Sequence, residues 1–411
     1  MKAFKYPVMY FSCKDFQKED MDAFFHESMQ SWAKMGAAVG AVKGDTGIPG
    51  LRLDFCNGLR LEVPAGNWHI RLSDVDSEMV FYEADVSEVL LVSVEKYYIH
   101  WHIEACLDGK KVFDHVFEPH GQKVHFVFCS RRIGDTLACL PYMLEFQKRY
   151  QVQSSYYAAE YLRPLLDVYC KDISFAEQVA EDTYAAFYFT AARDDPSKCP
   201  LDGRQIPLWQ VGQIILNLPE PVYLPEWRKN TRIVKEPYVC IGVQASSTFK
   251  GWHYPQGWEI LTAYFREQGY RVLCIDKEAY MEGPVGYNVK IPAGAEDFTG
   301  KISLIERADM LSHAEFFVGL SSGLSWLAWA VGCPVVLISG FSSFWHEFPT
   351  PYRVYNRLAC NGCVTDPRVD WQKNPCHLGS REPGRLLECS RTISPMMVLE
   401  AVKRLLKEKR R

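Results

Sequence analysis

The pattern of hydrophobic and polar residues changes near residue 123. Before that point, apolar and polar positions alternate through six segments separated by Gly, Pro and Asp: LRLDF, LRLEV, WHIRLSDV, MVFYEADV, YYIHWHIEAC and KVFDHVF. Alternation with a period of two residues is typical of antiparallel strands that bury one face. The pattern therefore predicts a β-rich N-terminal domain at residues 1–122, which also contains a short helix from about Asp20 to Lys34.

Beyond Val124, short apolar segments alternate with amphipathic helical segments. VHFVFCS, PYVCIGVQAS and RVLCIDKEA have the composition of strands inside a parallel sheet, whereas RRIGDTLACLPYMLEFQKRY and GWEILTAYFREQGY have helical patterns. This order predicts two doubly wound α/β domains facing a cleft, with ligands bound beyond the carboxyl ends of the strands. We place these domains at residues 123–225 and 226–345, followed by a cysteine-containing segment at 346–393 and a C-terminal helix at 394–411.

The segment FFVGLSSGLSWLAWAVGCPVVLISGF, residues 316–341, has an informative pattern. It predicts a strand, a tight turn at Ser321, Ser322 and Gly323, a helix and a second strand. The first N–H groups of a helix have no partner within the helix and the helix dipole is positive there, so this turn favours an anion. The residues alone leave two interpretations open: a phosphate or pyrophosphate site, and a buried strand–helix–strand unit whose serines only cap the helix.

Three more polar residues follow predicted strands. Asp135 in IGDTL could act as a general base, although an Asp at this place more often caps the helix that follows. Lys250 in QASSTFKGWH suits a phosphate, with an ordinary surface lysine as the alternative. Asp276, after RVLCI, lies where a carboxylate often binds a ribose hydroxyl, with a turn residue as the alternative.

Four of the fourteen cysteines lie close together near the C-terminus: Cys360, Cys363, Cys376 and Cys389. The first two form a C-N-G-C motif, and twelve residues separate each later cysteine from the one before it. Four thiolates can close a tetrahedral site for zinc or iron, and the surrounding loop has few aliphatic residues with which to form a core. His377 is a competing ligand, whereas a disulfide is disfavoured in the cytosol. The pattern predicts one structural metal ion.

Composition and charge narrow the classes of function. The chain has 411 residues, 48% of them hydrophobic, and a net charge of -4 at pH 7. This length suffices for two or three domains, and the charge argues against nucleic acid as the main partner. The N-terminal segment MKAFKYPVMYFSCKDF lacks the apolar stretch of a signal peptide, and no segment has the length of a membrane span. We therefore expect a cytoplasmic protein without a membrane span.

The chain resembles the bacterial autotransporter heptosyltransferases along essentially its whole length. The resemblance rests on GDTLACLPYMLEFQ, YVCIGVQAS, YRVLCIDKEA, AEDFTGK, GLSSGLSWLAWAVGCPVVLISGF and the four-cysteine segment. More distantly, the turn at Gly134 and Asp135 and the Ser/Gly helix start are similar to those of lipopolysaccharide heptosyltransferases. The resemblance implies a GT-B-like fold, with residues 123–225 on the acceptor side and 226–345 binding the nucleotide sugar. It also implies inverting transfer of a glycero-manno-heptose from ADP-heptose to serine hydroxyls of an autotransporter adhesin.

The same resemblance implies roles for particular residues. Asp135 becomes the candidate catalytic base, which reverses the preference for a helix cap that its position alone gives. The implied donor-binding residues are Thr136, Lys250, Asp276, Ser321, Ser322, Gly323 and Leu324. Among them, Lys250 and the turn would bind the diphosphate, and Asp276 would lie on the adenosine side. The related lipopolysaccharide enzymes commonly have an Asp where this chain has Ser321, so no acidic contact is expected at that position.

The resemblance also extends to the metal and to partners. Cys360, Cys363, Cys376 and Cys389 are similar to the ligands of the family's iron-binding finger, which favours iron over zinc. The implied partners are ADP-heptose, the passenger domain of an autotransporter adhesin, and further copies of this chain in a large ring-like homo-oligomer. Two alternatives stay open: a glycosyltransferase that uses another nucleotide sugar, and a catalytically silent protein whose β-rich domain and metal finger are docking surfaces.

Overall fold

The computed structural model describes residues 6–11, 40–190, 203–204, 206–219, 223–228, 230, 232–282, 288–366, 369 and 376–410. The helix predicted around Asp20 to Lys34 lies outside these residues. The chain divides into two compact units. The first comprises residues 1–131, 139–203 and 210–223, and the second comprises residues 132–138, 204–209 and 224–411. No helix in the described ranges is both long and apolar enough to cross a bilayer.

The described part of the first unit is rich in strands. These strands are β1 (Val8–Phe11), β2 (Arg52–Cys56), β3 (Arg60–Val63), β4 (Trp68–Asp74), β5 (Val80–Val86), β6 (Val89–Ser93), β7 (Trp101–Leu107), β8 (Lys110–Val116), β9 (Lys123–Phe128), β10 (Gln153–Tyr157), β11 (Ser174–Phe175) and β12 (Ala185–Phe189). The helices are α1 (Ile133–Tyr150), α2 (Arg163–Tyr169) and α3 (Gln210–Ile215), with a short 3-10 helix at Glu160–Leu162. The first turns of α1 belong to the second unit, and the rest of α1 belongs to the first.

Two sheets organise the first unit. The antiparallel sheet has the order β5-β4-β7-β8, which confirms the strands predicted there from alternation. The other sheet has eight strands in the order β1-β6-β3-β2-β12-β9-β10-β11 and is mixed. In it β2 and β3 are antiparallel, whereas β12 lies parallel to both β2 and β9. The boundary predicted after residue 122 therefore does not separate two sheets, because strands from both sides of it pair with β12.

The eight-stranded sheet is stabilised by an aromatic core and by a buried ion pair. The Phe126 ring lies 5.8 Å from the Phe146 ring and 6.1 Å from the Phe187 ring, between centroids. In the β2–β3 hairpin, the guanidinium of Arg60 donates to Asp54 at 2.6 Å, and their side chains are 3% and 0% exposed. Burial of such a pair is tolerated because each charge keeps its hydrogen bonds.

The second unit is an α/β unit followed by short helices. Its strands are β13 (Tyr238–Gly242), β14 (Arg271–Cys274), β15 (Tyr280–Met281), β16 (Val289–Lys290), β17 (Glu296–Asp297), β18 (Phe317–Leu320), β19 (Val335–Ile338) and β20 (Arg353–Val354). Its helices are α4 (Gly257–Glu267), α5 (Leu304–His313), α6 (Gly323–Ala330), α7 (His377–Arg381), α8 (Glu388–Arg391) and α9 (Pro395–Lys409). Short 3-10 helices lie at Thr248–Lys250, Cys363–Thr365 and Pro383–Arg385.

The six main strands of the second unit form one parallel sheet in the order β17-β14-β13-β18-β19-β20. Counted along the chain, this is the order 3-2-1-4-5-6 of a doubly wound domain, which confirms the α/β prediction for this part. The winding direction reverses between β13 and β18. Ligands of such sheets bind outside the carboxyl ends of the strands at this point of reversal. A ligand-binding site is therefore expected at the loops that follow β13 and β18.

Caps fix the ends of two helices in this unit. Ser303 and Glu306 form a capping box at the start of α5, in which each side chain accepts from the other residue's backbone N–H. The hydroxyl of Ser394 accepts from the Met397 N–H at the start of α9, as predicted. Val398, Val402 and other apolar residues of α9 then join the buried core of the sheet.

Candidate functional site

The turn between β18 and α6 leaves the first N–H groups of α6 without a side-chain cap. Ser322 has the extended backbone of an N-cap residue, with φ -141° and ψ 168°, but its hydroxyl makes no capping hydrogen bond. Its Oγ is buried, and it has no hydrogen-bond partner among the residues that the structure describes. The side-chain cap that the alternative interpretation assigns to the serines is therefore not made by Ser322. The turn combines an uncapped helix start with a buried hydroxyl, which suits an anion.

Ser321 lies beside Ser322 but is engaged in a different way. It is 8% exposed, and its hydroxyl donates to Oε1 of Glu347. The Oγ of Ser342 lies 2.5 Å from the Ser321 Oγ. A contact between Ser321 and the sugar-nucleotide donor stays a prediction, whereas the structure shows the hydrogen bond of Ser321 to Glu347. Glu347 was not predicted from the sequence, because a single glutamate in the aromatic segment FWHEF matches no motif.

The start of α1 packs against the start of α6, within the second unit. A Cβ placed on Gly134 would lie 2.7 Å from Cδ1 of Trp326, and a Cβ placed on Gly323 would lie 3.0 Å from Cβ of Ile133. A Cβ at Gly134 would therefore force a rearrangement, whereas one at Gly323 would require Ile133 to yield by a few tenths of an ångström. Asp135 follows Gly134 in the first turn of α1 and is half-buried. The structure thus brings the candidate base to the same end of the unit as the Ser322–Gly323 turn.

Two further predicted contacts, Thr136 and Leu324, flank this place. Thr136 is 2% exposed, and its hydroxyl donates to the Arg132 carbonyl at 3.1 Å, one turn back in the helix. Leu324 is half-buried in the first turn of α6. Its Cδ1 would lie 3.4 Å from a Cβ placed on Gly242, the last residue of β13. Leu324 therefore lies against the end of β13 at ordinary van der Waals distance, whereas it is the Phe317 ring, 2.8 Å from such a Cβ, that leaves no room for a side chain larger than glycine at Gly242.

Lys250 lies in the loop after β13, at the end of the 3-10 helix Thr248–Lys250. It is half-buried, and its Nζ lies 5.9 Å from the centre of the Phe341 ring. A cation over the face of an aromatic ring is attracted by the ring quadrupole. Because Phe341 follows β19, this contact holds the ammonium group at the carboxyl edge of the sheet. The alternative of a freely solvated surface lysine does not describe Lys250.

Asp276 follows β14, and its side chain is hydrogen-bonded to the residues that follow β13. Its side chain accepts from the Val243 N–H at 2.7 Å and from the Gln244 N–H at 3.2 Å, and the residue is 2% exposed. Burial raises its pKa to about 6, although these backbone hydrogen bonds act in the opposite direction. The observed role of Asp276 is to fix the loop that leads to Lys250. Its contact with a ribose hydroxyl remains a prediction.

The four predicted metal ligands lie in the segment after β20. Cys376 and Cys389 are buried, Cys363 is half-buried and Cys360 is exposed. A hydrogen bond with Cys360, burial, and the charges of Cys360, Cys363 and Cys376 all raise the pKa of the Cys389 thiol. Among the described residues, however, no three of these sulfur atoms all lie within 4.8 Å of one another, so the structure does not show an assembled ligand set. In addition, the backbone N–H groups of Gly379 and Leu387 donate to Sγ of Cys376, each at 3.4 Å. Four thiols are the donor set of a structural zinc or iron site, and N–H donors around Cys376 would stabilise a thiolate. The metal site at these cysteines stays a prediction.

Two other features of the first unit lie away from the predicted site residues. A groove of about 590 Å³ is lined by residues of β4, β5, α3 and nearby loops, and none of the predicted site residues lines it. His102, Glu104 and Asp114 also form a group with metal-ligand chemistry. However, Lys111 lies 2.8 Å from Glu104 and also pairs with Asp114, and Arg71 donates to Glu104 at 2.9 Å. The charges of these carboxylates are therefore already balanced.

Comparisons with known proteins place the chain among glycosyltransferases. Residues 47–109 match the family described as glycosyltransferase TibC, N-terminal domain. Residues 216–369 match glycosyltransferase family 9 (heptosyltransferase). The autotransporter heptosyltransferase Aah of Escherichia coli is 36% identical over 378 residues, which cover 89% of this chain and 94% of Aah. The inactive autotransporter heptosyltransferase BimC of Burkholderia thailandensis is 32% identical over 371 residues, which cover 87% of this chain and 86% of BimC.

Solved structures agree with these relatives. The crystal structure of the iron-containing dodecameric glycosyltransferase TibC from enterotoxigenic E. coli is similar with a TM-score of 0.80 and 33% identity, over 87% of this chain and 96% of TibC. TibC in complex with ADP-D-beta-D-heptose gives a TM-score of 0.79, with 32% identity over 87% of this chain and 96% of that chain. The ADP-heptose lipopolysaccharide heptosyltransferase II of E. coli, with a TM-score of 0.52 and 14% identity over 70% of this chain and 100% of that chain, shares the fold alone.

The fold and these matches define an α/β glycosyltransferase with a β-rich N-terminal region. More closely, the chain belongs to the autotransporter heptosyltransferase family. The predicted family resemblance is thereby confirmed.

Proposed function

We propose that this protein transfers a heptose from ADP-glycero-manno-heptose to serine hydroxyls of an autotransporter adhesin. The observation that carries the proposal is the uncapped start of α6 at the reversal point of the sheet, against which the Gly134–Asp135 turn is packed. Relatives over nearly the whole chain are named autotransporter heptosyltransferases, and TibC has been solved with ADP-D-beta-D-heptose.

The donor diphosphate would bind at the Ser322–Gly323–Leu324 turn. Its negative charge would be stabilised by the helix N–H groups, by the buried hydroxyl of Ser322 and by the ammonium group of Lys250. The same groups would stabilise the charge that develops on ADP as it leaves. Asp276 would contribute by fixing the loop that carries Lys250, in addition to any contact on the adenosine side.

Asp135 would act as the general base in a single displacement. The serine oxygen forms a bond to the anomeric carbon while the bond from that carbon to the phosphate oxygen breaks. The serine proton passes to the Asp135 carboxylate, and ADP leaves with the electron pair of the broken bond. The anomeric configuration is thereby inverted. Asp135 suits this role because it lies in the first turn of α1, beside the donor turn.

The replacement Asp135→Asn tests this assignment. A positioned base typically contributes about 10²–10⁴-fold in rate, so transfer to an adhesin fragment should fall by about that factor. Affinity for ADP should change little, because the amide keeps the shape of the carboxylate. Glu145→Gln is a matched control on the same helix, where Glu145 pairs with Arg149 at 3.5 Å. Full transfer by the Asp135→Asn protein would remove Asp135 from the role of base.

We also propose that the four cysteines bind one iron ion rather than zinc. The support is the four-thiol donor set, the N–H groups directed at Cys376 and the description of TibC as iron-containing. When bound, the ion would cross-link the segment after β20 and so stabilise its fold.

Two further proposals concern assembly and location. TibC is described as dodecameric, and we propose that this chain also forms a large homo-oligomer, which light scattering of the purified protein would measure. We propose a cytoplasmic location, because the adhesin would then be modified where nucleotide sugars are made. Fractionation of cells that express the protein tests this location directly.

A second candidate function is that of a catalytically silent protein. The specific observation in its favour is the relative BimC, which is named inactive and shares 32% identity with this chain. A transferase for another nucleotide sugar is a variant of the first proposal. Thermal melting with a panel of nucleotide sugars separates these options, because a ligand that binds the folded state raises the melting temperature. Stabilisation by ADP-heptose with turnover supports the proposed function; stabilisation without turnover supports the silent protein.

A further inference from the structure

Glu347 is a buried charged residue close to the donor turn. It lies in the loop after β19 and is 5% exposed. Its Oε1 accepts from the hydroxyl of Ser321 and lies 2.8 Å from Oγ of Ser342, while its Oε2 accepts from Nη1 of Arg353 at 2.6 Å. Burial of a carboxylate is costly unless the group is paired and hydrogen-bonded, and both conditions hold for Glu347.

The same network ties together the ends of three neighbouring strands. Ser321 follows β18, Ser339 follows β19, and Arg353 begins β20. Nη2 of Arg353 donates to Oγ of Ser339 at 3.2 Å and to the carbonyl of Ser342 at 3.1 Å. Glu347 is thus linked to the strand ends around the turn from which α6 starts. Since packed networks of this kind have few alternative arrangements, they fix the backbone of the residues that they hold.

We propose that Glu347 is a positioning residue for the donor diphosphate. By holding the hydroxyl of Ser321, it fixes the backbone of the next two residues, Ser322 and Gly323, so that the N–H groups of α6 point at the diphosphate. It acts through Ser321 and does not touch the donor. Pairing with Arg353 balances its charge, so that the carboxylate holds the turn without repelling an anion. This inference rests on the proposed function.

The test compares three variants of the full-length protein by calorimetric titration with ADP and by initial rates of heptose transfer. Glu347→Gln removes the charge but keeps the shape. Ser321→Ala removes the same hydrogen bond without leaving Arg353 unpaired, and it carries the test if Glu347→Gln fails to fold. Asp54→Asn is the matched control, because it breaks a buried ion pair of similar geometry, with Arg60, in the first unit.

We expect Glu347→Gln and Ser321→Ala each to weaken ADP binding by about 10-fold or more and to lower the rate at saturating donor. A misplacement of about 1 Å in a reacting geometry can cost about 100-fold in rate. Asp54→Asn should lower the melting temperature and leave the affinity for ADP unchanged.

Two results would overturn the positioning role. One is an unchanged ADP affinity and rate in both variants, accompanied by a loss of thermal stability like that of Asp54→Asn. The other is tighter ADP binding by Glu347→Gln, which would mean that the carboxylate only opposes the anion electrostatically. If the unsubstituted protein itself bound no ADP, the proposed function would fail instead, so the two failures are distinguishable.

Discussion

Replacement of Gly134 by alanine probes how closely α1 and α6 must approach each other. The added Cβ would lie 2.7 Å from Cδ1, 3.1 Å from Nε1 and 3.2 Å from Cγ of the Trp326 indole. Carbon atoms pack best at about 3.5–4.0 Å, so one of the two groups must move by about 1 Å. Trp326 is itself held by Trp329 and Phe348, with ring centroids 5.8 Å and 5.1 Å away. The start of α1, which carries Asp135, is therefore the part that yields.

Two effects on stability oppose each other in Gly134→Ala. Alanine is favoured over glycine in a helix by about 1 kcal/mol, whereas overpacking costs about 1–3 kcal/mol. The net loss of unfolding free energy should therefore be about 0–2 kcal/mol. The effect on catalysis should be much larger, because a displacement of about 1 Å can lower a rate by about 100-fold. The assay combines initial rates of heptose transfer at saturating donor with a denaturant titration.

Gly384→Ala provides the control for this experiment, since a Cβ there would meet no atom within 4 Å. It should leave both the transfer rate and the stability close to those of the unsubstituted protein. An undiminished transfer rate in Gly134→Ala would refute the reasoning, because it would mean that the contact between α1 and α6 does not set the position of Asp135.

Three further predictions follow from the same structure. Lys250→Met should weaken ADP binding by about 10–100-fold, since a hydrogen bond to a charged group contributes about 1.5–3 kcal/mol. Lys277→Met is the control, because the Lys277 side chain is 89% exposed, and it should leave the affinity for ADP measured by calorimetry unchanged. Cys363→Ser should lower the iron content measured by elemental analysis and lower the melting temperature, whereas Cys106→Ser should retain iron; equal metal content in both would contradict the four-cysteine site. Burial raises the pKa of Asp276 from 3.8 to about 6, so the stability that its protonation contributes is complete below pH 3.8 and is lost as the pH rises through 6. That change corresponds to about 3 kcal/mol. In denaturant titrations from pH 4 to pH 7, the unfolding free energy of Asp276→Asn should therefore rise relative to that of the unsubstituted protein. A difference in unfolding free energy that is constant with pH would contradict the raised pKa of Asp276.

Local pattern predicted much of the fold. The strands with two-residue alternation in the N-terminal region and the strand–helix order of the second unit are both present, because those patterns report which face of each element is buried. The mixed eight-stranded sheet was not predicted. Its formation depends on β12 lying between β2 and β9, a pairing between residues more than a hundred positions apart, as in Ala185 with Phe55. Local periodicity carries no information about such partners.

The sequence predicted where the candidate site lies in the fold, but not the contacts that its side chains make. The sequence placed Ser322, Lys250 and Asp276 at strand ends, and the sheet order brings those ends to one edge. It did not indicate that the Asp276 carboxylate accepts from backbone N–H groups, because strand position does not define where a side chain points. Glu347 was missed, because its role depends on contacts with Ser321, Ser342 and Arg353, which only the fold brings together.

The position of ADP-heptose in a crystal structure of its complex with this protein is the most direct test of the account. We predict diphosphate oxygens within about 2.7–3.2 Å of the backbone nitrogens of Gly323 and Leu324. We also predict the Asp135 carboxylate on the side of the anomeric carbon opposite the leaving phosphate. A diphosphate bound away from the start of α6, or an Asp135 carboxylate on the leaving-group side, would contradict it.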